Sequence, residues 1–190
     1  MARITDPERL ERIKESTMAL IVENGYLGVT ISNIAQRAQV STGYLYRHFD
    51  SKEALINFLI NDSFSALRNS VSQLLEENSS VHDVITYQFR SLLQMANETP
   101  VKARFACSLA SDPRYNVRNT LNIRTIAQHI LDKGRQNHEI GEHITLEMAL
   151  LFLIQTPIGF MAQKLNNSPE SGITEDEILL LTQLCLKALS

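Results

Sequence analysis

The 190-residue chain predicts an all-α fold. Three observations carry this. Apolar residues recur at helical spacing in nearly every segment, the alternating runs of strands and their tight hairpin turns are absent, and polar breaks separate stretches of helix length. About nine helices fit the pattern. An N-terminal three-helix unit is expected over residues 1–55, with a larger helical part over 56–190.

Asp6-Pro7-Glu8 opens the first helix with an N-cap, a proline at the first helical position and an acid at the positive helix end. Leu10, Ile13, Leu20 and Ile21 form its inner stripe, and Asn24-Gly25 supplies its stop. Thr30 caps a second helix whose Ile31, Ile34, Ala35 and Ala38 complete one buried face. Gln39-Val40-Ser41 is a turn, followed by a short helix over Thr42 to His48. Asp50 and Glu53 stand at capping-box spacing for a long helix carried to about Glu77 by Leu55, Leu59, Leu67, Val71 and Leu75. Further breaks are expected at Asn78-Ser79-Ser80, Asn97 to Pro100, Ser111-Asp112-Pro113, Asn137 to His143 and Asn166 to Gly172. The last two helices run from about Leu146 to Leu165, with a kink at Pro157 and Gly159, and from about Glu175 to Leu189. Thr174 and Glu177 form a capping box for the final one.

Hydrophobic residues at 44% suffice for a core. No run approaches the roughly 18 uninterrupted apolar residues that span a bilayer, and the N-terminus has no apolar signal core. Cys107 and Cys185 lack CxxC spacing and read as buried free thiols. A cytoplasmic protein without membrane association is expected. The net charge of −3 is unevenly spread: residues 1–60 balance seven Lys/Arg against seven Asp/Glu, and the deficit lies beyond them. A neutral N-terminal part can still present a basic face if its acids point elsewhere.

Two short helices joined by about three residues form a helix-turn-helix, whose second helix can enter a DNA major groove. Leu45 and Phe49, at i and i+4, face inward with Val40. The other side is expected to expose Thr42, Gly43, Tyr44, Arg47 and His48, with Tyr46 near the margin. Ser41 and Thr42 stand at the helix N-terminus, where free N–H groups favour a phosphate. Gly43 removes a side chain where backbone and phosphate must approach closely. Thr42, Tyr44 and Arg47 are the candidate base readers, Arg47 by reaching a guanine edge or a phosphate. Tyr46, His48 and Lys52 are the candidate phosphate donors. Lys52 also needs a compensating partner, since a cation at a helix N-terminus is unfavourable, and a phosphate would be one.

The stretch Thr30, Ile34-Ala35, Ala38, Val40-Ser41, Gly43, Leu45-Tyr46, His48-Phe49, Lys52-Glu53 and Leu55 resembles the DNA-binding domain of the TetR/AcrR family of transcriptional regulators. The resemblance covers roughly residues 8–58. It departs at Gln39, where the family usually carries glycine, so a left-handed backbone there would cost Gln about 1 kcal/mol. It implies a homodimer reading a palindromic double-stranded DNA operator, usually a repressor released by a small-molecule effector, and adds Thr30 to the DNA-binding residues.

In similar proteins the last two helices build an intersubunit four-helix bundle. The broad apolar faces here, Met148, Leu151, Phe152, Ile154, Ile158 and Met161 on one and Ile178 to Leu189 on the other, suit burial on two sides. Phe89, Met95, Phe105, Phe152, Phe160 and Met161 are candidates for an effector pocket, with Arg90 and Arg104 nearby for an acidic ligand. A helical adaptor that binds only protein is the alternative. A metallohydrolase is a weaker one: in His138-Glu139-Ile140-Gly141-Glu142-His143 the second histidine falls five positions after the first, where a zinc-binding HExxH needs four. No catalytic motif, cofactor or metal is expected.

Overall fold

A computed structural model describes residues 6–77, 79–112, 122–167 and 170–190. The expected breaks at Asn78 and Pro113, and part of that before Gly172, lie outside the described residues. Nine helices and no strand are present among those described: α1 (Pro7–Gly28), α2 (Ile31–Arg37), α3 (Thr42–His48), α4 (Lys52–Glu76), α5 (Val81–Glu98), α6 (Pro100–Ala110), α7 (Ile123–Gln136), α8 (Leu146–Asn167) and α9 (Glu175–Leu189).

The caps explain most boundaries. Asp6 accepts from the amides of Glu8 and Arg9. Thr174 and Glu177 form the reciprocal capping box. For α4 the cap is Ser51, whose Oγ accepts from the Ala54 amide at 3.0 Å; Asp50 lies one residue outside the helix, so the expected Asp50–Glu53 box does not form. Gly25 does interrupt α1, with φ 68°, but helical turns resume and carry α1 to Gly28. Between α2 and α3 the chain turns through a Schellman motif. The Val40 amide donates to Ala35 O, the Gln39 amide donates to Gln36 O, and Gln39 takes the left-handed conformation at φ 55°.

The N-terminal core joins Ile13 and Ile21 of α1, Ile34 of α2, Leu45 and Phe49 behind α3, and Leu55, Leu59 and Ile60 of α4. It extends past the expected 55/56 boundary. α4 crosses that point without a break, and Phe105 and Leu109 of α6 pack into the same core. Lys14 of α1 pairs with Asp62 of α4 at 2.7 Å. A second cluster joins α4, α5, α7, α8 and α9, and a third joins α5 and α6 to α8 and α9.

α8 is irregular where Pro157 and Gly159 predict it. Residues Leu151–Gln155 form a π turn, with the Thr156 amide donating to Leu151 O. Proline has no N–H, so residue 157 can bond neither the carbonyl four back nor the one five back. Side chains from neighbouring helices occupy both. Gln88 Nε2 of α5 donates to Leu153 O at 2.8 Å, and Cys185 Sγ of α9 lies 3.7 Å from Phe152 O. Burial pushes the Cys185 thiol, and likewise Cys107, up to about 11, which leaves both unreactive at neutral pH. By length and composition α8 could also cross a membrane, with a mean hydropathy of 1.3.

Gln39→Gly should remove the left-handed penalty and stabilise the chain by about 1 kcal/mol. A raised urea midpoint with unchanged slope would show it; a lowered midpoint would mean the Gln39 side chain holds the turn.

Candidate nucleic-acid interface and internal cavity

The helix-turn-helix positions α3 from behind. Leu45 is fully buried and Phe49 nearly so, with the Phe49 ring 5.4 Å from that of Phe58 on α4. Arg12 Nε of α1 donates to Ala38 O, and Arg37 of α2 holds Glu23 of α1 through two bonds of 2.5 and 2.8 Å. At the start of α3, Ser41 Oγ accepts from the Tyr44 amide at 3.1 Å. Thr30 caps α2 in the same way, accepting from the Asn33 amide at 3.2 Å.

The outward face is narrower than the sequence suggests. Ser41, Thr42, Gly43, Tyr46 and Arg47 are exposed. Tyr46 is 58% exposed, well clear of the margin where its position in the stripe placed it. Arg47 has no hydrogen bond or ion pair within the described chain. Tyr44 is half-buried: its ring packs on the N-terminal core, 4.7 Å from the His48 ring and 5.6 Å from the Arg9 guanidinium.

Two expected phosphate donors are placed differently. His48 is only 9% exposed, because it falls one turn after Tyr44 on the flank turned toward the core. Lys52 is partnered inside the chain. Its Nζ donates to Tyr26 O at 2.7 Å and Val29 O at 3.0 Å, and lies 4.2 Å from the centre of the Tyr26 ring. The compensation that a cation at the start of α4 requires thus comes from the carbonyl end of α1. Burial lowers the Lys52 pKa, and the Asp112 carboxylate works against that shift.

Glycine at position 43 is not required by the fold. A Cβ added there would meet nothing within 4 Å, and the backbone is not left-handed. In a helix such a glycine costs about 0.5–1 kcal/mol relative to alanine.

A cavity of about 110 Å³ opens between α4, α5, α6, α7 and α8. Among the described residues its wall is apolar except for Arg68 of α4 and Gln88 of α5. None of the six residues expected to form a pocket lines it. Phe105 belongs to the N-terminal core; Phe89 and Met161 are fully buried in the other two clusters; Phe152, Met95 and Phe160 pack partly buried against those clusters. Arg90 is taken by Glu175, and Arg104 donates to Leu165 O. The signal that finds Arg68 and Gln88 is a polar residue on an apolar stripe. Phe64, Leu67, Arg68 and Val71 follow i, i+3, i+4, i+7, as do Val81, Val84, Ile85 and Gln88. The bent part of α8 supplies Leu153, Ile154 and Ile158 to the wall.

Residues 137–145 form the loop expected around His138 and His143, with the Gly141 amide bound to Leu189 O. Among the described residues, no group of three or more His, Cys, Asp and Glu could hold a metal ion.

Residues 13–58 match the sequence model of the bacterial regulatory proteins of the tetR family. The HTH-type transcriptional repressor KstR2 of Rhodococcus jostii is 23% identical over 154 residues, covering 78% of this chain and 76% of that protein. Among solved structures, a TetR family transcription regulator from Marinobacter aquaeolei superposes with a TM-score of 0.74 at 16% identity, covering 96% of this chain and 95% of that one. The regulator FadR from Bacillus subtilis, solved with stearoyl-CoA, superposes at 0.72 and 19% identity, covering 94% and 96%.

Lys52→Met should leave the Tyr26 and Val29 carbonyls without their donor and destabilise the chain by about 1–3 kcal/mol. Chemical denaturation without DNA measures it; an unchanged midpoint would show that the bonds contribute nothing.

Proposed function

The chain belongs to the tetR family of bacterial regulatory proteins and is a DNA-binding transcriptional regulator; from that premise we propose that it is a cytoplasmic homodimeric repressor, released from a palindromic operator by a small molecule bound in the cavity. The observation that carries the reading is α3 itself, anchored by Leu45 and Phe49 while Thr42, Gly43, Tyr46 and Arg47 stand free in solvent.

The division of labour follows from exposure. Arg47, exposed and without a hydrogen bond or ion pair among the described residues, is the base reader, by bidentate contact with a guanine edge. Thr42 reads beside it, and Gly43 lets the α3 backbone come against the duplex. Ser41 and Tyr46 donate to phosphates and set register. Tyr44 reaches DNA only with its outer edge, and Thr30 stands at the start of α2 as a flanking phosphate contact. Lys52 retains one N–H beyond the two given to carbonyls, so it contributes from the edge. His48 supports Tyr44 from within.

Two copies would pair through α8 and α9. Leu151 of α8 and Leu180 and Leu184 of α9 are 47%, 58% and 56% exposed, while the opposite flanks of both helices are in the core. A partner subunit covering these leucines explains an apolar α8 as well as a bilayer would. It also sets two α3 helices against half-sites about 34–36 Å apart.

Release follows from shared walls. Ile60 and Leu109 belong to the N-terminal core and also line the cavity. A ligand that parts α4 from α6 therefore shifts the base on which α3 stands, and favours a spacing that no longer matches the operator.

Gly43→Ala should stabilise the free protein by about 0.5–1 kcal/mol yet weaken operator binding, whereas Arg47→Ala should cost about 1–3 kcal/mol of binding and relax base preference. Selection from random duplex DNA followed by titration measures both; equal losses on selected and random DNA would overturn the role of Arg47. Leu180→Glu with Leu184→Glu should give monomers in light scattering, and a persistent dimer would place the interface elsewhere.

A further inference from the structure

Among the described residues the cavity has one charged group in its wall, Arg68, and no carboxylate pairs with it. Arg68 is half-buried, and its only hydrogen bond among the described residues is from Nη1 to Asn61 Oδ1 at 3.1 Å. No carboxylate pairs with it among the described residues, and none of the remaining residues is an Asp or Glu. The other cations named as candidate ligand contacts are already engaged, Arg90 by Glu175 and Arg104 by a carbonyl. By contrast, Lys14 is paired with Asp62, Arg37 with Glu23 and Lys164 with Glu177. A guanidinium set into an apolar wall without an acid is an unfavourable arrangement unless something supplies the charge.

Gln88 gives the cavity a second polar group. It is 7% exposed, its Nε2 is committed to Leu153 O, and its Oε1 has no partner in the described chain. The rest of the wall is aliphatic or aromatic. A ligand that fits must therefore carry one anionic end and an otherwise apolar body. The volume of about 110 Å³ is of the order of the ~150 Å³ of an engineered cavity that takes up benzene, which selects a body about the size of one ring or a short alkyl chain.

We propose that the effector is a small apolar monocarboxylate, held by a bidentate pair between its carboxylate and Arg68 with its hydrocarbon part among the α4, α7 and α8 side chains. This rests on the reading of the cavity as the effector site and names the ligand class for it. Planar guanidinium matches a carboxylate in two parallel bonds, which a neutral hydroxyl or a thioester cannot form.

The test uses the full chain and calorimetric titration with hexanoate and phenylacetate, their matching alcohols hexanol and 2-phenylethanol, and hexanoyl-coenzyme A. The acids should bind at least about tenfold more tightly than the alcohols, the loss expected for one charge-assisted pair. Arg68→Gln should abolish that preference while leaving alcohol affinity in place, and Arg68→Lys should restore part of it. Wild-type protein that binds acid and alcohol equally, binds neither acid, or prefers the thioester regardless of residue 68 overturns the proposal. A chain that keeps the acid preference but selects no operator would overturn the regulator reading and leave this site standing.

Discussion

Everything on the outward face of the helix-turn-helix depends on two side chains, Leu45 and Phe49, buried behind a seven-residue helix. A helix this short is marginal on its own propensity, and it carries a glycine at its second position. Tertiary packing therefore supplies its stability, and packing also fixes which face it shows. With Leu45 and Phe49 inside, Arg47 has no apolar neighbour to lie against and must point outward. The capping of α3 by Ser41 and the left-handed turn at Gln39 then set its angle to α2. Strain at Gln39, surplus flexibility at Gly43 and an unpaired Arg47 all sit within nine residues of one another. Such a concentration of locally unfavourable choices is what a functional site looks like when the rest of the chain is locally consistent.

The N-terminal core is not confined to the helix-turn-helix. Phe105 and Leu109 bring α6 into it, and α4 passes through the expected domain boundary as one unbroken rod. Lys14 and Asp62 add a charged tie between α1 and α4. Because side chains in such a core are close-packed, a displacement of α4 or α6 cannot be absorbed locally and must be passed on. This makes the cavity wall and the floor beneath α3 parts of one mechanical unit.

Most of the helices and several caps were legible in the sequence, since periodicity, N-caps and the Thr174–Glu177 box are local signals. The same is true of the bend at Pro157. The failures have a common physical origin: they concern side chains whose surroundings are set by residues far away in sequence. Lys52 looked available because its partners, the Tyr26 and Val29 carbonyls, are backbone atoms of another helix. His48 looked outward because a seven-residue helix has few apolar positions with which to define its flank. The six residues expected in a pocket are aromatic or methionine, large and soft side chains that core and cavity share. Arg68 and Gln88 were the better clue, because a polar residue on an apolar stripe must be matched by something, and Arg68 lacks an acid within the chain. The Asp50–Glu53 spacing misled by one residue, Ser51 being the stronger cap in place.

Pro157 has a consequence for how this chain can change. Its missing amide hydrogen makes Gln88 of α5 and Cys185 of α9 useful at positions that would otherwise want plain hydrocarbon. An ordinary residue at 157 would restore a backbone donor, turn the glutamine amide into a competitor for the same oxygen, and strand the thiol. The three sites lie on different helices with no sequence proximity, yet the glutamine and the thiol serve two carbonyls that residue 157 cannot bond. Substitution at one of them therefore changes what the other two do.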